Sequence, residues 1–328
     1  MFDLISIGDG AVDYFFKIHD ARLEEREGKE GVDLCLRFGD KLPVEKYSQS
    51  LGGNSVNSAV GASRLGLKTA VYLNIGSDLA GEFTLAELKK ENIDTRYVVT
   101  NESLCSNVSA LISFRGERTI LTYHQDFNYQ LPSFDQNRWI YLSSVGKSAL
   151  QSNFHKQVEH YLERTGALLV FNPGTFEMGC GIQKFPRLLS LTKLLILNKG
   201  EAGVILDINS PKGVDIKKLL KGLAELGPQM IIITDGKNGS YGFDGNNFYS
   251  LDVFPANVVE MTGAGDAYAV GVLAGLFYGQ NLPEAMRWGA ANGASVVEEI
   301  GSQKGLLIYD KMQEKLKENS KIVAKKIS

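Results

Sequence analysis

The sequence predicts an α/β protein built on a mostly parallel sheet covered by helices on both faces, with a small β appendage. Three observations carry this. Apolar runs of strand length alternate with helical patterns along most of the chain. Two regions, residues 34–51 and 95–124, break that alternation. The 328 residues, 44% hydrophobic and 22% charged, suit one large α/β domain or two modest ones.

The elements follow in order. "DLISIG" (3–8) is a short apolar run with the look of a buried strand. The charged stretch "ARLEEREGKEGVD" (21–33) reads as a solvated loop. Residues 34–51 read as short strands or loop. "NSVNSAVGASRLGL" (54–67) sets small and apolar residues at helical spacing and stops near Gly66. "TAVYLNIG" (69–76) is again strand, and "AGEFTLAELKKE" (80–91) is an amphipathic helix with a basic end. Residues 95–124 read as two or three alternating strands, with "VSALISF" and "RTILTYH" around the turn "RGE". "RWIYLSS" (138–144), "ALLVFNPG" (167–174), "KLLILN" (193–198) and "QMIIIT" (229–234) are further strands separated by helical segments. The tail "KLKENSKIVAKKIS" reads as a basic helix end.

Charge and composition narrow the function classes. The net charge is −3 with both signs interspersed, which leaves no basic footprint for nucleic acid and no polybasic membrane patch. No apolar run reaches the roughly 18 residues of a membrane span. The opening "MFDLISIGDG" reads as a first strand rather than a signal peptide. Cys35, Cys105 and Cys180 form no CxxC pair, so they fit reduced thiols of a cytoplasmic protein. The four histidines make no HExxH spacing, and neither a GxSxG elbow nor a GxGxxG after the first strand is present. "GKS" (146–148) imitates a P-loop, but the first glycine of that loop would fall at Tyr141. A small-molecule partner is therefore expected.

The chemistry concentrates in "EMTGAGDAYAVGVLAGL" (260–276). Gly263, Ala264 and Gly265 lead into Asp266 and an apolar helical run. Small residues before a helix let a ligand approach the backbone, and the first N–H groups then face an anion. A carboxylate in the same place can orient and deprotonate a hydroxyl, so the pair suits phosphoryl transfer to an alcohol. The plainer reading of this stretch is a glycine turn with Asp266 as a helix cap.

"TGAGDAYAVGVLAGL" resembles the C-terminal signature of the ribokinase-like (phosphofructokinase B) kinases of carbohydrates and nucleosides. Further stretches occur in that family's order: "GDGAVD" (8–13), "LGGNSVNSAVGASRLG" (51–66), "NKGE" (198–201), "TDGKNG" (234–239) and "IGSQKGL" (300–306). The resemblance runs from about residue 3 to about residue 310. It implies a Rossmann-like three-layer fold with a β-sheet lid, in a single domain over 1–328 with lid segments at about 14–51 and 95–124. It implies Asp266 as base and Gly263, Ala264 and Gly265 as anion hole. Asp13, Gly52, Gly53, Asn54 and Asn57 would hold the hydroxyls of the acceptor. Asn198 and Glu201 would organise Mg²⁺ and phosphates, largely through water. Thr234, Gly236 and Gly239 would line the ATP site, with Asn292 near the adenine. The lid implies a homodimer.

Two departures qualify this. Glu260-Met261 stands where the family has Asp-Thr, so Glu260 is the candidate ligand for a monovalent cation such as K⁺, with a longer side chain than usual. The strand ending "YLSSVGKS" lacks the Glu of ribose-directed members, which weakens ribose as acceptor. The expected function is ATP- and Mg²⁺-dependent phosphorylation of a hydroxymethyl group of a small sugar or sugar derivative. A nucleoside kinase with an aromatic such as Tyr14, Phe15, Phe16 or Phe38 on the base is the nearest alternative. A sugar- or nucleotide-binding regulator is the alternative from another class.

Overall fold

The computed structural model describes residues 1–25, 31–115, 117–208 and 213–327. The large sheet takes ten strands among them, ordered Lys325–Ile327, Phe248–Leu251, Ser240–Phe243, Met230–Thr234, Thr192–Asn198, Leu168–Phe171, Asn137–Leu142, Phe2–Ile7, Thr69–Gly76 and Asp94–Asn101. From Met230–Thr234 to Asp94–Asn101 neighbours run parallel. The three strands at the other edge are antiparallel.

The central strands are apolar throughout because both faces are covered. Leu4, Tyr141 and Val170 turn to one face and pack with helices Asn54–Arg64, Ala264–Phe277 and Leu282–Val296. Ile5, Ile140 and Leu169 turn to the other and pack with Phe154–Thr165, Lys199–Ile205 and Ile216–Ala224. The small residues of "AVGVLAG" serve helix packing: a Cβ on Gly271 would lie 2.6 Å from the Trp288 carbonyl oxygen, so Ala264–Phe277 and Leu282–Val296 meet nearly backbone to backbone.

A small sheet, ordered Lys46–Gly52, Ala11–Lys17, Val108–Phe114 and Glu117–Tyr123, stands beside the carboxyl ends of the large one. Its middle pair is parallel and its outer pairs antiparallel. Gly116, the centre of the expected "RGE" turn, lies outside the described residues.

Several expectations are corrected. The strand Asp94–Asn101, taken with the appendage, pairs with Thr69–Gly76 as the edge of the large sheet. Helix Leu79–Lys90 makes the crossover that a parallel neighbour requires. The stretch read as a solvated loop contains Arg22–Glu25 paired antiparallel with Val32–Cys35, while residues 26–30 lie outside the description. Its charges report exposure, not backbone shape. The tail leaves helix Tyr309–Glu318 and ends in Lys325–Ile327, which pairs with Phe248–Leu251 at the sheet edge. Among the described residues no helix is long and apolar enough to cross a membrane.

Strand order sets where a ligand binds. The chain begins in the sheet's interior, builds outward through Thr69–Gly76 and Asp94–Asn101, then returns to the other side of Phe2–Ile7 with Asn137–Leu142. That reversal opens a crevice at the carboxyl ends of these two strands.

Candidate active site

The crevice is built from strand ends and two helix N-termini. Helix Asn54–Arg64 begins after Gly53, whose φ of 98° is open to glycine and costly for other residues. A Cβ there would lie 2.6 Å from the Asp9 carbonyl oxygen, so the turn wraps directly over the first strand's end. Helix Ala264–Phe277 begins after Gly263, also left-handed at φ 76°, where a Cβ would sit 2.5 Å from Ser302 Cβ.

The first helical bond at that terminus runs from the Ala267 amide to the Gly263 carbonyl at 2.8 Å. The amides of Gly265 and Asp266 precede this ladder, and both residues line the crevice. The Ala264 amide already donates to the Met261 carbonyl at 3.3 Å. A Cβ on Gly265 would meet nothing within 4 Å, so open space lies in front of it.

A cavity of about 200 Å³ occupies this space. Asn54, Asn198, Glu201, Thr234, Gly265 and Asp266 line it, together with Ser144 and the run Asn172–Thr175. Among the described residues its lining carries two carboxylates, Glu201 and Asp266, and no cationic side chain. Burial raises the Asp266 carboxyl to about 6, against the hydrogen bond from Asn57. Burial also raises Glu201, against the Asn198 amide, and the Asp266 charge raises it further.

Asn198 and Glu201 cap helix Lys199–Ile205 reciprocally. The Glu201 amide donates to Asn198 Oδ1 at 2.9 Å, and the Asn198 amide donates to Glu201 Oε2 at 2.8 Å. Both still line the cavity. Thr234 ends its strand beside them, whereas Gly236 and Gly239 bracket the one-turn 3₁₀ helix Gly236–Asn238 outside the cavity wall. Asp13 lies mid-strand in Ala11–Lys17, on the small sheet. Burial raises it to about 6, the Ser109 hydrogen bond lowers it, and Glu260 and Arg118 act in opposite senses beyond that. Gly52 packs on it: a Cβ there would lie 2.3 Å from Asp13 Oδ2.

Three of the expected ligand residues make hydrogen bonds within the protein. Asn57 Nδ2 donates to Asp266 Oδ2 at 2.8 Å, and its Oδ1 accepts from Ser302 Oγ and Gln303 Nε2, both at 2.9 Å. Its oxygen thus carries two protein donors, and one of its N–H groups is turned to Asp266. Asn292 is fully buried, donates to the Ala267 carbonyl at 2.8 Å and accepts from the Leu307 amide at 3.0 Å. It ties two helices to the following loop. Glu260 accepts from Arg118, Thr262 and Gly301.

The reading of the sequence missed the "NPGT" loop and a buried cluster beneath it. Tyr129 donates to Asp9 Oδ1 at 2.5 Å and accepts from the Gly146 amide at 3.0 Å. Glu177 accepts from the amides of Val145 and Gly174, both at 3.1 Å, stapling two strand-end loops. Burial lifts both carboxyls to about 7, with the Tyr129 bond opposing it at Asp9 and backbone amides at Glu177. The signal present was position alone: each follows a strand's carboxyl end.

Residues 29–308 match the model of the pfkB family of carbohydrate kinases. The chain belongs to that family. Curated relatives of this PfkB kinase include the 5-dehydro-2-deoxygluconokinase of Geobacillus thermodenitrificans, 26% identical over 293 residues covering 83% of this chain and 86% of the relative. They also include the nucleoside kinase of Methanothermobacter thermautotrophicus, 24% identical over 314 residues covering 93% and 92%. The solved structure of Arabidopsis thaliana ribokinase complexed with ribose and ATP superimposes with TM-score 0.78 at 19% identity, covering 96% of this chain and 99% of that one. The nucleoside kinase of Methanocaldococcus jannaschii, an archaeal member of the ribokinase family, superimposes with TM-score 0.76 at 20% identity, covering 97% and 99%. The fold is the ribokinase-like one, and the chain is a kinase of the sugar and nucleoside class.

Proposed function

We propose that this kinase transfers the terminal phosphoryl group of ATP to a hydroxymethyl group of a small sugar or sugar derivative, with Asp266 as general base. The carrying observation is that Gly265 and Asp266, in the first turn of a helix, line one cavity, and that burial raises the Asp266 carboxyl there to about 6. At pH 7 that carboxyl is largely ionised yet still basic enough to accept a hydroxyl proton. The helix N-terminus would hold the moving phosphoryl group as charge spreads over its oxygens. The Ala264 amide, engaged with Met261, contributes less than Gly265 and Asp266.

Asn198 and Glu201 fit a Mg²⁺ held through water. Two carboxylates facing one cavity without a cationic side chain are relieved by a divalent ion, and Glu201 already meets the Asp266 charge. Mg²⁺ would neutralise phosphate charge there. Thr234 stands on the same wall, on the ATP side. Asp13 and Asn54 would bind acceptor hydroxyls, because both side chains make paired hydrogen bonds, and the small sheet would act as a lid that excludes water.

A nucleoside acceptor is the second reading. His124 at the end of the small sheet meets Phe176 edge to face, with centroids 5.6 Å apart, directly after the cavity residue Thr175. That aromatic pair could stack on a base. The exposed Tyr47, Ile120, Leu121 and Tyr123 support pairing of two copies through the small sheet. The free thiols of Cys35, Cys105 and Cys180 suit the cytoplasm.

The test is coupled ADP release from ATP and Mg²⁺ across a panel of sugars, sugar phosphates and nucleosides. Asp266→Asn is expected to lower turnover by about 10²- to 10⁴-fold while the fold is kept. Full turnover in that variant would sink the assignment. Turnover with nucleosides and none with sugars would establish the second reading.

A further inference from the structure

Glu260 occupies the position where the family resemblance suggests a monovalent cation, yet the surrounding residues do not fit one. Its Oε1 accepts from Arg118 Nη1 at 2.7 Å and also from the Thr262 hydroxyl. Its Oε2 accepts from the Gly301 amide at 2.9 Å. Both oxygens are committed, and the ion pair is largely shielded, with Glu260 13% and Arg118 30% exposed at the side chain. A solvated cation would have to displace a guanidinium that is tethered at high effective concentration.

The position of Arg118 gives the pair a purpose. It lies on Glu117–Tyr123, the outer strand of the small sheet, opposite Ser113. Glu260 lies three residues before Gly263, where the catalytic helix begins. One side chain therefore reaches from the small sheet to the loop that sets the Gly265 and Asp266 amides. The same guanidinium lies close enough to Asp13 to act on its charge, opposing Glu260 there. Thr262, within the turn, and Gly301, in the loop after helix Leu282–Val296, also donate to the carboxylate, so the clamp joins the 260–263 segment to that loop as well as to the small sheet.

We propose that Arg118 is a positioning residue that serves as a built-in cation for the anion loop. The kinase then needs no K⁺, and its phosphoryl-binding amides are in place only when the small sheet is docked. Removing Arg118 leaves Glu260 partly buried and unpaired, which opens the site to an added cation.

The inference rests on the kinase reading of the site, so the test has one arm that needs turnover and one that does not. In the first, kcat and KM of the full chain are measured with an acceptor it turns over, in KCl, NaCl and tetramethylammonium chloride at equal ionic strength. The wild type is expected to run at one rate in all three. Arg118→Ala is expected to lose on the order of 10- to 100-fold in kcat, with a smaller change in acceptor KM, because it misplaces transition-state donors. KCl should restore part of that loss, and Arg118→Lys should keep most of the rate. In the second arm, thermal unfolding is followed in the same salts without substrates. The wild type should show no K⁺-specific stabilisation, and Arg118→Ala should gain one. Activation or stabilisation of the wild type by K⁺ over tetramethylammonium overturns the proposal. So does an Arg118→Ala protein with wild-type kcat and no response to K⁺. The wild-type comparison decides even where the variant fails to fold.

Discussion

Replacing Asn57 by alanine should move the acid limb of the pH–rate profile upward. Asn57 donates to the Asp266 carboxylate at 2.8 Å and opposes the rise that burial causes. A hydrogen bond to a charged group contributes about 1.5–3 kcal/mol, and each pKa unit corresponds to about 1.4 kcal/mol. Its loss should raise Asp266 by about 1–2 units, from about 6 toward about 7–8. At pH 7 the ionised fraction then falls from about nine-tenths to between about one-half and one-tenth, so kcat/KM drops about 2- to 10-fold from ionisation alone. That part should return as the pH is raised to about 9, and any loss that persists there measures misplacement of the carboxylate. The assay is kcat/KM for the acceptor from about pH 5 to about pH 9.5, since that ratio reports the free enzyme. Asn57→Asp, which sets a like charge beside Asp266 at nearly the same volume, should push the limb further in the same direction. The reasoning fails if both variants fold, lose activity uniformly and keep the wild-type limb.

Asn292→Leu should cost about 1–3 kcal/mol by leaving the Leu307 amide without its acceptor, and should leave the KM for ATP unchanged. A stable variant with a raised KM would return Asn292 to the nucleotide site. Stability should also fall as pH rises from about 5 to about 8, by several degrees in Tm. Asp9 and Glu177 are lifted to about 7 and Asp13 and Asp266 to about 6, all by burial first. Each folded value lies above the unfolded one, so the folded chain keeps these protons longer. The stability they contribute is whole below about pH 4 and is lost as pH climbs through about 6 to 7. His155, lowered to about 4 by burial, and His124, also lowered by burial, work the other way up to their unfolded value near 6.5, against these four carboxyls and Glu201, which burial also raises. Asp9→Asn should flatten the slope, and a wild-type Tm that climbs over this range would contradict the account.

The parts of the fold that were legible are those whose cause is local. The strands ending at Ile7, Leu142, Phe171, Asn198 and Thr234 are apolar on both faces because helices cover both, and such runs declare themselves. Ala11–Lys17 did not, because Asp13 interrupts its pattern where the strand faces the site. Lys325–Ile327 is a strand only because Phe248–Leu251 offers an edge, and two lysines in three residues carry no sign of that. The site divides in the same way. Asn198, Glu201 and Thr234 were found through motifs at strand ends, which the parallel sheet gathers at one crevice, and Gly265 and Asp266 through a motif at the helix N-terminus that faces them there.

Residue type alone did not reveal which polar groups are already spent. Asn57, Asn292 and Glu260 have the chemistry of ligand residues, and each also has protein partners from along the chain: Asn57 has Ser302 and Gln303, Asn292 has Leu307 and Ala267, Glu260 has Arg118. Buried polar groups must be paired, and a sequence read in windows cannot say whether protein or substrate supplies the partner. That pairing also sharpens the chemistry. With Asn57 turned to Asp266 and Glu260 turned to Arg118, the cavity wall keeps two first-turn amides and a carboxylate held from behind by an amide. On the proposed reading, hydroxyl recognition would fall to Asp13 on the small sheet and Asn54 at the start of helix Asn54–Arg64. An acceptor held by both would touch the small sheet and the helix layer of the large one at once. In that arrangement the proposed docking of the small sheet through Arg118 and the readiness of the anion loop would be one event.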